Sequence, residues 1–529
     1  MVRRPRPIPM LIALAVSFPA AAFAQEGAQV TYPPAFDEPM TLYPVLGNFT
    51  RSITTSSPEA QAYFDQGVKL IYAFTLQNAA RSFREAQKKD PTCAMCYFGE
   101  AWSWGPYLNG AMSATNAPRA YAAIQQAVKL RDRTKPVERA LIDAMALRYS
   151  PTHDPSTRAR LDTAYSAAME KVFAQYSRDL DVGTLYAESL MLLNRARGTY
   201  EIDQPHVQKF HAVLDKLLDR DMLHPGACHL FIHATEATSR PEKAEACALH
   251  LGATIPGASH INHMPSHTFN RIGRWGDAVR ANIDAWHTDT RASFGEGIAI
   301  SPAHNLHMLL YAAAFDGQGA VSIQASRDYT KVNRGGTQFR GLTMVRFGRF
   351  EEVLELTEAP AADASRAQWD FARGYAHLKL GAADSARFYL DRIRQAGAEG
   401  AGRTNSIVSI LTGILSAEMM VKEGKLPEAI AALDSAVAVE DDMPYSEPEP
   451  LPFAARHWLG AVLLEAKRPV DAERVYREDL ADHPRNGWSL YGLTQALDAQ
   501  GKTDEANRVR AQFKEAWSRS DTLLRGSRF

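Results

Sequence analysis

The sequence predicts an all-α chain of stacked helical hairpins, a solenoid coiled as a right-handed superhelix. Three observations predict it. Small and aromatic residues recur in a fixed register, with Ala506 following Ala472 by 34 residues, the length of one two-helix unit. Short helix-breaking turns, "EGKLPEA", "AKRPVDA" and "AQGKTDEA", fall where that register needs them. Apolar residues recur at helical spacing, and strand-type alternation is not evident. The composition agrees: 46% hydrophobic residues can bury a core, and a formal net charge of −1 leaves no basic field for nucleic acid or anionic lipid.

At the start of the chain, Arg3, Arg4 and Arg6 precede the apolar run "MLIALAVSFPAAAFA", which ends in Ala22-Phe23-Ala24. A basic start, a short apolar stretch and an Ala-x-Ala end describe a cleavable signal peptide over residues 1–24, cut after Ala24. The run is shorter than the roughly 20 residues a membrane span needs, and no later run is expected to span a bilayer. The predicted location is periplasmic or secreted. Residues 25–57 lack helical periodicity and read as an extended arm. Residues 58–340 read as an N-terminal solenoid with a histidine-rich groove, and 341–529 as plainer C-terminal repeats. Longer loops are expected at 288–300 and 440–452.

The repeats fit the tetratricopeptide (TPR) pattern. In the first, Tyr63, Gly67, Ala79, Phe83, Ala86 and Pro91 take positions 4, 8, 20, 24, 27 and 32. Small residues at 8, 20 and 27 let two antiparallel helices approach, large ones at 4 and 24 fill the gaps between hairpins, and proline stops the second helix. Gly460, Ala472, Tyr476 and Pro484 repeat the register, as do Gly374, Ala386 and Leu390, and Ala417, Ala429, Leu433 and Ala436.

Ten of the sixteen histidines fall between residues 224 and 307. With Ala244 at position 20, His229 takes position 5 and His233 position 9; with Ala278 at position 20, His263 and His267 take the same places. The two pairs are thus one repeat apart. Aligning Gly317 with the turn glycine Gly273 puts His307 at position 5, Tyr311 at position 9, and His304 at position 2 beside His260 of the previous repeat. Positions 2, 5, 9 and 12 lie along one helix face, which in TPR proteins lines the concave groove. Glu236 takes position 12 on that face.

Neutral imidazole suits Cu, Zn, Fe and Ni. Neighbouring helices about 8–10 Å apart can share one ion, so His229, His233, Glu236, His260, His263, His267, His304 and His307 are the candidate ligands. Cu or Zn is the expected metal, with Fe third. An open position on such an ion would serve a metal-dependent oxidoreductase or hydrolase, and six histidines in two groups of three would suit a coupled dicopper site. The alternative is a metal-free scaffold that holds a peptide or protein partner in its groove. Pro265 either starts a helix or kinks one.

Cys228 and Cys247 are symmetric about a turn near Ser239 and are expected to form a disulfide bracing the His229 helix. Cys93 and Cys96 fit a redox pair, half a metal site or a local disulfide equally well. The aromatic stretch Gly99–Met112 reads as packing, with a pocket wall as the sharper alternative, and Glu188 is a further candidate for the groove.

The motifs "HPGACHLFIHATEA" and "HMPSHTFNRIGRWGDA", with "FDQGVKLIYAFTLQNAARSFREAQKKDP" and "REDLADHPRNGWSLYGL", resemble a family of exported bacterial TPR proteins. The resemblance covers most of the chain after residue 24 and is most specific at the histidine motifs. It implies the solenoid fold, export and a single histidine segment, and it implies no reaction.

Overall fold

The structure, a computed structural model, describes residues 30–36, 38–399 and 402–529, so the expected signal segment lies outside the described residues. The regular elements among the described residues are all helices, arranged hairpin after hairpin. Before the first of these, residues 38–57 run without helix and are held by side chains. Gln66 Nε2 donates to Thr41 O at 2.9 Å, and Arg51 pairs with Asp179 and Asp181 at 2.8 and 2.7 Å.

The first hairpin shows why these residues make a repeat. Ser57 accepts from Ala60 N at 3.1 Å and caps Pro58–Tyr72, whose first position is a proline. The chain turns at Phe74 and continues as Leu76–Lys89. A Cβ at Gly67 would stand 2.6 Å from the Phe83 ring, and one at Gly99 2.3 Å from it. Glycine at both places lets three helices close on one aromatic ring. Tyr476 sits in the same way between Gly460 and Gly492, where a Cβ would come within 2.3 and 2.2 Å. The predicted register is therefore a packing rule, satisfied at both ends of the chain.

The later repeats pair Asp363–Lys379 with Ala383–Glu399, Arg403–Lys422 with Leu426–Asp441, Ala455–Glu465 with Pro469–Asp482, and Gly487–Ala499 with Thr503–Ala516. Arg403–Lys422 is long and apolar enough to cross a membrane, which the sequence reading did not anticipate. Half of that stretch is buried, with Ile410, Leu411, Ile414 and Leu415 packed against neighbours.

The central region is built differently. Pro225–Thr235 opens on its proline, with His224 Nδ1 accepting from Ala227 N at 3.1 Å. Its return limb is short, made of Pro241–Ala244 and Glu245–His250, and Cys228 is bonded to Cys247 across this hairpin. The next first helix comes in two pieces, Ser259–His263 and Pro265–Arg271. Pro265 thus starts one helix and interrupts another: it has no N–H to continue the earlier ladder. Trp275–Ala292 completes this hairpin, and Pro302–Asp316 with Gly319–Val332 forms the next.

The C-terminal repeats come back against the turns of these hairpins. Trp275 Nε1 donates to Pro484 O and Trp488 Nε1 to Ala314 O, both at 2.9 Å. The tail adds an Arg519–Asp316 ion pair at 2.6 Å, and Asp521 accepts from Gly319 N at 2.7 Å. The loop between Asp441 and Ala455, lengthened where the sequence predicts, enters the groove they enclose.

Candidate metal centre

The structure gathers six of the predicted histidines into two adjoining groups of three. His229, His233 and His260 form one, and His263, His267 and His304 the other; within each, one nitrogen per residue lies within 4.8 Å of the others. The grouping follows a rule: positions 5 and 9 of one repeat are joined by position 2 of the next. The groups abut, with ring centroids 5.8 Å apart for His233–His267 and for His260–His263. His260 and His263, three residues apart on the short helix Ser259–His263, serve different groups, and His267 joins His263 from the helix that starts at Pro265.

The atoms behind the rings fix which nitrogen faces inward. Tyr72 O accepts from His229 Nδ1 at 2.6 Å, and Glu236 Oε1 from His233 Nδ1 at 2.7 Å. Asn282 Oδ1 accepts from His263 Nδ1 at 2.7 Å, and its own amide orientation is set because its Nδ2 donates to Ala278 O at 2.9 Å. Each Nδ1 therefore carries its proton, and each Nε2 presents a lone pair to its group. His229 Nε2, His233 Nε2 and both nitrogens of His260 are buried with no hydrogen-bond partner. An unsatisfied buried polar group costs about 1–3 kcal/mol, so four in one place call for a ligand. In the second group His263 Nε2 and His267 Nε2 face each other at 2.8 Å, a spacing that two lone pairs tolerate only with a cation or a proton between them.

Glu236 lies behind the rings. Its Oε1 accepts from His233 Nδ1 at 2.7 Å and its Oε2 stands 2.6 Å from His267 Nδ1, outside hydrogen-bond geometry, so one buried carboxylate touches both groups. Burial opposes its charge, but His267 and His233 outweigh that and hold its carboxyl well below the usual range. Burial and the neighbouring histidines push His229, His260 and His263 well below the ordinary imidazole value. Burial, with Arg197, lowers His233 to about 4, and burial, with His267, lowers His304 to about 3. His267 alone is raised: burial works against its charge, and Glu236 and Glu447 overcome it. At neutral pH most of the cluster is therefore uncharged, the form in which imidazole binds metal.

Two predicted residues stand elsewhere. His307 is outside both groups, packed on Phe339 with ring centroids 4.3 Å apart. Its repeat carries Tyr311 at position 9 and so has no second imidazole to pair with. Glu188 accepts from Trp102 Nε1 at 3.1 Å and is not among the clustered residues. Cys93 and Cys96 form a local disulfide in the core.

The sequence reading missed four contributors. Glu447, from the 442–454 loop, lies 3.5 Å from His267 Nδ1 and forms a further group with His233 and Glu236. Burial and the charge on Glu236 raise it to about 7. Arg197 lies 3.8 Å from Glu236 and 3.6 Å from Glu447. Phe74 covers the first group, with ring centroids 4.2 Å from His229 and 5.8 Å from His233, nearly parallel to the latter. Its φ of 58° is left-handed, a strained conformation for a bulky residue. Asn282 is the fourth. The irregular acidic "EDDMPYSEPEP" was the one sequence signal for any of these.

A cavity of 730 Å³ opens on the cluster and is floored by His233 and His260 of one group and His267 and His304 of the other. Arg195, Arg197 and Arg403 stand in its wall.

No family model and no curated protein matches the chain. Among solved structures it is similar to the Cut9–Hcn1 hetero-tetramer of the APC/C (TM-score 0.29, 13% identity, covering 87% of this chain and 74% of that one). It is also similar to the P58(IPK) TPR domain (0.22, 10%, 84% and 99%) and to human IFIT1 in a dimer with m7Gppp-AAAA (0.30, 10%, 88% and 91%). At these TM-scores the fold assignment rests on the hairpins and their packing alone.

Proposed function

We propose that this chain is an exported solenoid that holds a pair of transition-metal ions, one in each histidine group, and that it acts as a metal-dependent oxidoreductase. The observation that carries the proposal is the convergence of six imidazoles in two abutting groups of three, with partnerless buried nitrogens in the first and His263 Nε2 set against His267 Nε2 in the second. Three protein ligands per ion leave positions open toward the cavity, the arrangement of a catalytic rather than a structural site. Six imidazole donors add no negative charge, which suits copper in both oxidation states, and copper stands highest in the affinity order for such donors. Glu236, Asn282 and Tyr72 O orient the rings, and Glu447, whose carboxyl is pushed up to about 7, stands beside them. The two disulfides support export to an oxidising compartment.

The scaffold reading has less support. The 442–454 loop occupies the groove where a peptide would lie, and the remaining cavity has the dimensions of a small-molecule site.

Metal analysis of protein made without a polyhistidine tag tests the proposal. About two equivalents of copper after reconstitution are expected from one ion per group. Retention of two zinc ions with copper rejected would turn the reaction class to hydrolysis. Less than about a tenth of an equivalent of any transition metal would remove the metal reading.

A further inference from the structure

We infer that the cavity over the two histidine groups is a binding site for a small carboxylate that also carries a hydroxyl donor. This rests on the proposed metal centre only for what happens to the ligand after it binds. The wall supplies positive charge without its counter-charge. Arg195 makes one hydrogen bond, from Nη1 to Gly110 O at 3.1 Å, and neither it nor Arg403 is ion-paired with a carboxylate whose side chain is described. Arg197 is committed: its Nη1 donates to Asn109 Oδ1 at 2.7 Å, and it is shared between Glu236 and Glu447. The nearest acids are thus already engaged with Arg197 and the histidines. A guanidinium presents a planar fork that matches a carboxylate, so two unpaired guanidiniums in the wall of one cavity select that group.

The rest of the wall limits the ligand further. Gln368 is 7% exposed, and its side-chain oxygen has no hydrogen-bond partner. It lines the same cavity and asks for a donor from the ligand. Phe339, packed at a tilt against His307, and Leu108 give the cavity its apolar face. A volume of 730 Å³ admits a ligand of one or two rings. Carboxylate, apolar body and hydroxyl together describe a small hydroxyaryl or hydroxyalkyl acid, presented to the floor where both histidine groups meet.

Calorimetric titration of the full chain, metal-free and metal-loaded, with 4-hydroxybenzoate and with 4-hydroxybenzyl alcohol tests the inference. The acid should bind both forms, at least about tenfold more tightly than the alcohol. Replacing both arginines (R195Q with R403Q) should abolish that preference and leave metal content unchanged, and R195K with R403K should keep part of it. Arg403 is exposed and Arg195 half-buried, so these variants should fold, which circular dichroism checks. Equal affinity for acid and alcohol overturns the inference. So does acid binding that appears only with metal and survives both Gln substitutions, which would place the carboxylate on the ions. If no metal binds but the arginine-dependent preference is present, the metal reading fails and the cavity assignment stands.

Discussion

At the scale of single residues, the cluster depends on register more than on histidine content. Positions 5 and 9 of a repeat were legible because a 34-residue spacing repeats them. The joining residue at position 2 of the next repeat was harder to read, since it works across the hairpin boundary and, for His304, across an insertion. His307 shows the limit of counting: it holds a matching position, but Tyr311 replaces its partner. Replacing His304 by Ala should therefore cost one of two bound ions, while the same change at His307 should leave both, read by metal analysis of the purified variants. Glu236→Gln keeps the size of the side chain and removes the charge that grips His233 and His267. Outer-shell changes of this kind typically weaken metal about 10–100-fold. Competition with a chelator should show that loss at both ions together, because one carboxylate serves both groups. Loss at a single ion would mean that Glu236 belongs to one group only.

At the scale of elements, two covalent features shape the site. Pro265 divides the central helix between His263 and His267, the two members of the second group that this repeat supplies. The Cys228–Cys247 disulfide closes a 19-residue separation across a hairpin whose return limb is short and whose first helix carries His229 and His233. Both were readable from sequence, the proline as a choice between start and kink and the cysteines from their symmetry about the turn. Changing both cysteines to Ser should lower stability by about 3 kcal/mol. Denaturant unfolding measures this, and metal affinity should fall with it, since the loosened helix carries two of the three imidazoles of its group. Undiminished affinity would show that packing against Tyr72 and Phe74 is enough to place that helix.

At the scale of the whole molecule, the repeat register accounts for the hairpins but not for their closure. Nothing in a local pattern announces that Trp488 bonds Ala314 O, that Arg519 pairs with Asp316, or that Glu447 reaches His267 from the far side of the groove. Such contacts join residues 174 to 203 positions apart and depend on the accumulated rotation of many repeats. They make the C-terminal repeats part of the site's wall. Trp488→Ala should cost about 3–5 kcal/mol, the usual range for losing a buried Trp, and should divide thermal unfolding into separate transitions for the two halves. A single transition, shifted but not split, would mean that the remaining core carries the cooperativity. The central claim is that each histidine group holds its own ion. Anomalous diffraction from crystals of the copper-loaded chain, collected on both sides of the copper edge, tests it most directly. Two peaks are predicted, one ringed by His229, His233 and His260 and the other by His263, His267 and His304. A single peak bridging the groups, or density only at other histidines such as His457 and His483, would contradict it.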